Sequence, residues 1–175
     1  MSLFLFLLQG FFLLSMSSNN FTTVTELDLP KYMGHWHQVY AAPFDFTFQG
    51  YGKCITADYQ ILGANNVSVL NAQYNKKNEY EEIPGYAFYT DLNKPGELSV
   101  VLEGVPFPAP YWVLQLGEVV DEQYQYSIIS VPTGPSLWVL ARDISYFFKV
   151  DDNEVRKFLD EYNFNYIKVD QDCSK

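Results

Sequence analysis

Positive charge is scarce in this chain. Of its 175 residues 11 are lysine or arginine, against 21 aspartates and glutamates, so the formal net charge is −10. Arg142 and Arg156 are the two arginines. A chain this acidic repels phosphate backbones, which argues against nucleic acid as a partner, and anionic membrane surfaces are disfavoured for the same reason. Chemistry-bearing motifs are scarce too. There is no Gly-rich phosphate loop and no Gly-x-Ser-x-Gly elbow, and no internal repeat or low-complexity tract. His35 and His37 share one face of an extended segment, but no third ligand stands at useful spacing, so two surface histidines are the plainer reading. No metal and no cofactor are expected.

One strongly apolar run exists, Leu3 to Leu14 within MSLFLFLLQGFFLLSMSS. It is too short to cross a bilayer as a helix, which needs about 20 residues. Ser15 and Ser17 supply the small residues of a cleavage site, so residues 1–18 read as a secretory signal, although its only positive charge is the amino terminus. Residues 19–175 are then expected to form one secreted, extracellular domain. Cysteine is limited to Cys54 and Cys173. In an oxidising compartment they fit one disulfide closing a long loop, worth roughly 3–5 kcal/mol, and in a reducing one they would be two thiols. Asn20-Phe21-Thr22 and Asn66-Val67-Ser68 are glycosylation sequons, usable only on exposed segments of a secreted chain.

Aromatics are abundant at 18%, with 14 Tyr and 14 Phe, and ten Gly and nine Pro punctuate the chain. That profile favours a β protein. Eight strand-like segments follow one another: His37–Ala42, Lys53–Leu62, Val67–Asn75, Ile83–Asp91, Glu97–Gly104, Pro110–Val119, Gln123–Val131 and Ser136–Arg142. Turn signals such as Asn93-Lys94-Pro95-Gly96 and Pro132-Thr133-Gly134-Pro135 separate them, so consecutive strands are expected to pair antiparallel. Pro30 is read as ending whatever precedes the first strand. The period changes only afterwards. Val155, Phe158, Leu159 and Tyr162 make one apolar stripe, with Asp151 and Glu154 as a capping box, predicting a helix from about Asp152 to Tyr162 packed outside the sheet. A short strand at Tyr166–Val169 completes the reading.

Eight antiparallel strands form either a sandwich or a closed barrel with room for a small ligand. Counting in twos from Trp138 gives Leu140 and Arg142. In a dry sandwich core that arginine is costly. At the end of a barrel it can lie flat on the Trp36 indole, where Gly34 lets the backbone pass close by.

Gly34-His35-Trp36 near the start, with Leu137-Trp138-Val139-Leu140-Ala141-Arg142 closing the last strand, resembles the lipocalins. GKCITADYQI, VSVLNAQY and APYWVLQL look like the subgroup that contains apolipoprotein D and the bacterial outer-membrane lipocalins. The resemblance runs from about Leu29 to Cys173. Where the family commonly has Tyr-Glu after the tryptophan, this chain has His37-Gln38. The resemblance implies an eight-stranded up-and-down barrel, or calyx, with one C-terminal helix outside, sealed at one end by Trp36 and Arg142. It also implies that Cys54 pairs with Cys173. Tyr59, Asn71 and Trp138 match positions that face the cavity in apolipoprotein D. If Cys54 points outward, Ile55, Ala57, Tyr59 and Ile61 point inward.

A calyx needs an apolar lining and few polar anchors, which Tyr59, Asn71, Trp112, Tyr126 and Trp138 can supply. Plain core packing is the competing reading for Trp112 and Tyr126. Phe44, Phe46, Phe48 and the apolar loop around Phe107 can rim an open mouth, admitting ligand or touching a lipid surface transiently. The expected function is carriage of a small hydrophobic ligand (fatty acid, sterol, retinoid or pigment) by a monomer that is not an enzyme. The alternatives are a lipid-modifying enzyme in the same cavity, which would need a free thiol, and a surface-interaction module whose cavity is filled.

Overall fold

The structure, a computed structural model, describes residues 21–43, 52–132, 134 and 136–173. The apolar leader, Asn20, and Phe44, Phe46 and Phe48 lie outside the described residues.

A one-turn helix α1 (Leu29–Tyr32) leads into strands β1 (Gly34–Ala41), β2 (Lys53–Ile61), β3 (Asn66–Tyr74), β4 (Tyr80–Tyr89), β5 (Glu97–Leu102) and β6 (Ala109–Leu116). A small hairpin, β7 (Val119–Val120) and β8 (Gln123–Tyr124), precedes β9 (Tyr126–Ser130) and β10 (Leu137–Ala141). The sheet order is β10-β9-β6-β5-β4-β3-β2-β1, and β10 pairs back onto β1. An eight-stranded antiparallel barrel therefore closes on itself, its last strand paired with its first. Pairing at the closure runs His37↔Ala141 to Ala41↔Trp138, with a bulge between Gln38 and Tyr40. The seventh expected strand is broken. Asp121 and Glu122 take left-handed φ of 48° and 64° at the tip of the β7–β8 hairpin, so only Tyr126 onward joins the barrel.

β1 pairs with β2 only from Gly34↔Tyr59 to His37↔Thr56. Beyond that point the two strands part, and the C-terminal tail fills the gap. Strand β11 (Ile167–Lys168) pairs with Tyr40 and Ala41 of β1, and Cys54 N–H donates to Asp170 O at 2.8 Å. Gln171 Nε2 donates to Gln38 O at 2.7 Å and to Ile55 O at 3.0 Å, bridging both strands. The Cys54–Cys173 disulfide, spanning 119 residues, fastens this seam.

Two helices lie outside the barrel, where one was expected. Helix α2 (Ile144–Val150) precedes the expected one, α3 (Asp152–Glu161). Ile144, Phe147 and Phe148 carry the i, i+3, i+4 signal, and Phe147 is fully buried. The junction corrects the expected capping box. Asp151 makes no side-chain capping bond: it ends α2 with its N–H on Phe147 O and keeps a helical backbone, φ −92° and ψ −23°, where a capping residue is extended. The working cap is Asp143, whose carboxylate accepts from Tyr146 N–H at 2.8 Å. Asp143→Ala is expected to lower stability by about 1 kcal/mol, read from the midpoint of urea unfolding.

Apolar packing divides between two places. Val155 and Leu159 of α3 and Phe147 of α2 pack with Val39, Ile128 and Val139 against the outer wall. A second cluster, with Trp36, Tyr59, Val69 and Leu98, fills the lower interior. Strand faces follow the pleat except at the ends. Ile55, Ala57 and Tyr59 are buried as expected, whereas Ile61 is 49% exposed where β2 runs past the barrel floor.

Candidate binding cavity

The closed end is built by the segment before β1. Asp28 accepts from Lys31 N–H and pairs with Lys31 Nζ at 2.6 Å, while Pro30 occupies the first turn of α1. Proline therefore starts this helix rather than ending what precedes it, since its missing N–H is no loss there. The turn aims the carbonyls of Lys31, Tyr32 and Met33 at Arg142 Nη2, at 3.2, 3.1 and 2.7 Å. Arg142 also donates from Nη1 to His35 O at 2.7 Å and from Nε to Tyr124 O at 3.3 Å. The guanidinium carbon sits 3.6 Å from the Trp36 ring centre, and Trp36 Nε1–H donates to Tyr32 O at 2.9 Å. Trp36 is wholly buried.

Arg142 and Trp36 thus form the stopper their alternation implied, and main-chain oxygens satisfy the cation. Burial lowers the Arg142 pKa to about 10, so it stays charged at neutral pH. Gly34 sits beneath it at φ +97°, where an added Cβ would approach Arg142 Nη1 and Gln123 Nε2 at 3.3 Å. Both the left-handed backbone and the tight space favour glycine.

Above the stopper the barrel is hollow. A cavity of about 320 Å³ runs upward, walled by apolar side chains such as Val67, Val69, Ala87, Val100 and Leu140. Among the described residues no charged side chain lines it. Leu27, Leu29 and Met33, from the segment crossing the closed end, complete its base.

Three of the five sequence candidates, Tyr59, Asn71 and Trp138, line this cavity. Trp112 and Tyr126 do not. Tyr111 takes the inward position on β6, so its neighbour Trp112 faces out and packs on the cluster beneath the helices. Tyr126 lies on the same outer side. Its hydroxyl accepts from Gln115 Nε2 at 2.6 Å and donates to Glu154 Oε1 at 3.2 Å. Phe107 is 76% exposed on the loop between β5 and β6, near cavity-lining Val105 and Ala109. Asn66 is exposed at the start of β3, as its sequon requires. His35 Nδ1–H donates to Asp58 Oδ1 at 2.9 Å, and its ring meets His37 edge-on at 4.8 Å. Burial and the neighbouring His35 both lower the His37 pKa.

The sequence reading named Tyr59 and Asn71 but missed the other two phenols of the cavity, Tyr32 and Tyr111. Tyr32, Tyr59 and Tyr111 converge at its base. Their hydroxyls are linked, Tyr32 to Tyr111 at 2.7 Å and Tyr59 to Tyr111 at 3.2 Å, and Tyr32 donates to Ser127 Oγ at 2.9 Å. Burial raises all three phenol pKa values, that of Tyr32 to about 12, so the group is neutral throughout the physiological range. Tyr32 gave no signal because it precedes the first expected strand. Tyr111 was hidden by the larger aromatic beside it.

An antiparallel barrel closed by its first and last strands, hollow, apolar, and stoppered by an arginine on a tryptophan, defines a calyx protein. The chain belongs to the lipocalin family: residues 27–163 match the Lipocalin-like domain. Among curated relatives, the outer membrane lipoprotein Blc of Vibrio cholerae is 33% identical over 120 residues, 68% of this chain and 67% of that protein. Rat apolipoprotein D is 31% identical over 87 residues, and the match spans 50% of this chain but only 44% of that protein. The cockroach allergen Per a 4 has the same fold at a TM-score of 0.62, with 19% identity over 86% of this chain and 92% of that one.

Proposed function

We propose that this protein is a secreted carrier that holds one small hydrophobic molecule in its calyx. The observation that carries the reading is the 320 Å³ cavity itself, uncharged and apolar apart from a few placed hydroxyls and amides. Small-molecule sites are commonly about 300–1,000 Å³ with this kind of lining. A barrel filled by its own side chains would leave no such volume, which weighs against a purely surface-acting module. Tyr59, Asn71 and Trp138 are the proposed ligand contacts, with Asn71 offering both a donor and an acceptor. Secretion is supported by the apolar leader and by the disulfide at the tail seam. The enzymatic alternative loses its nucleophile, because both cysteines are paired with each other. The proposed carrier acts as a monomer and needs no cofactor.

Titration with an apolar ligand should quench tryptophan fluorescence through Trp138 and saturate at one ligand per chain. Flat titrations across fatty acids, alcohols, sterols and retinoids would remove the carrier reading.

A further inference from the structure

The base of the cavity has a chemical polarity that the proton count decides. Each phenol owns one hydrogen. Tyr32 spends its hydrogen on Ser127 Oγ, at 2.9 Å. The 2.7 Å bond between Tyr32 and Tyr111 must therefore be donated by Tyr111. That commits the Tyr111 hydrogen, so the 3.2 Å bond between Tyr59 and Tyr111 must be donated by Tyr59. The chain runs Tyr59 to Tyr111 to Tyr32 to Ser127, and all three phenol hydrogens are used. What Tyr59 has left is oxygen lone pairs, facing a cavity whose described lining carries no cation.

On the reading that the calyx holds a ligand, the geometry points to a neutral apolar molecule bearing a hydrogen-bond donor, a long-chain or ring alcohol, whose hydroxyl caps this chain at Tyr59. A carboxylate or an ester carbonyl arriving at the same spot meets acceptors only and stays unpaired in an apolar site. Asn71, closer to the mouth, offers both a donor and an acceptor and does not discriminate. The discrimination belongs to the base, and Ser127 sets it from outside the cavity. Ser127 is a positioning residue. It is fully buried on β9, and its oxygen fixes which way the three phenols point.

The inference is tested with 1-dodecanol, methyl dodecanoate and dodecanoate, each titrated into the full mature protein at pH 7.4 and read by tryptophan fluorescence. Dodecanol is expected to bind about fivefold or more tightly than either partner. Ser127→Ala removes the terminal acceptor, so the Tyr32 hydrogen turns to Tyr111, that of Tyr111 to Tyr59, and that of Tyr59 into the cavity. In this variant methyl dodecanoate should gain and the alcohol preference should vanish or invert. Tyr111→Phe, which frees the Tyr59 hydrogen directly, should shift the preference the same way and guards against misfolding of the first variant. If the ester or the carboxylate binds wild-type protein as well as the alcohol does, the inference is overturned while the carrier reading stands. An alcohol preference that survives both substitutions overturns it as well. No binding by any of the three overturns the inference for chain alcohols, and the carrier reading falls with it only if the sterol and retinoid titrations are flat as well.

Discussion

Arg142→Ala should lower stability by about 3–4 kcal/mol, a fall of roughly 10 °C in the melting midpoint of a domain this size. The substitution removes one side chain but takes a donor from five acceptors. The carbonyls of Lys31, His35 and Tyr124 lose the guanidinium outright, Tyr32 O is left with Trp36 Nε1–H and Met33 O with Gln123 Nε2, and water replaces the arginine only at the exposed edge. The Trp36 face loses its cation at the same time. Arg142→Lys keeps the charge but not the planar fork, and a single ammonium cannot reach carbonyls on both α1 and β8. It should recover less than half of the loss. Because burial lowers the arginine pKa only to about 10, the effect should be the same at pH 5 and pH 8. A double-mutant cycle of Arg142→Ala with Trp36→Phe should give a coupling of about 1–2 kcal/mol. Independent effects at the two positions would mean the stacking contributes nothing beyond the hydrogen bonds.

Ala87→Trp should abolish ligand binding, by at least about 100-fold, while changing stability by no more than about 1–2 kcal/mol. Ala87 lies on β4 between the exposed-face residues Tyr86 and Phe88, and its methyl faces the cavity beside Val67, Leu98 and Val100. The site loses no polar group and no special backbone conformation when it is enlarged. An indole there enters empty space rather than packed core, so the cost of overpacking is small and the cost to a ligand is large. Circular dichroism and the thermal midpoint report the fold; the fluorescence titration reports the binding. Undiminished affinity in a folded Ala87→Trp variant would place the ligand outside the calyx.

The parts of this protein legible in one dimension are those governed by short-range chemistry. Strand count follows from β-branched and aromatic runs cut by Gly, Pro and Asn. The terminal helix follows from one apolar stripe, and the stopper from an arginine at the inward end of a strand whose phase Trp138 set. Barrel rather than sandwich came from Arg142, costly in a dry core, together with the resemblance, because alternation alone looks the same in both. Helix α2 was legible from Ile144, Phe147 and Phe148, yet its seven residues make only two turns, a pattern too short to separate from a connection by periodicity alone.

Other decisions belonged to three dimensions. On β6 two adjacent aromatics, Tyr111 and Trp112, fit the pleat equally well in either phase, and only closure of the barrel turned the smaller one inward. Tyr126 has the same alternation as a cavity residue, but helix α3 covers that face and supplies Glu154 to its hydroxyl. The phenol chain joins residues separated by as many as 95 positions, so no local pattern could announce it. Alternation along a strand specifies which residues share a face. Which face encloses the hollow is settled only when the first and last strands meet and the tail, helices and α1 cover the rest.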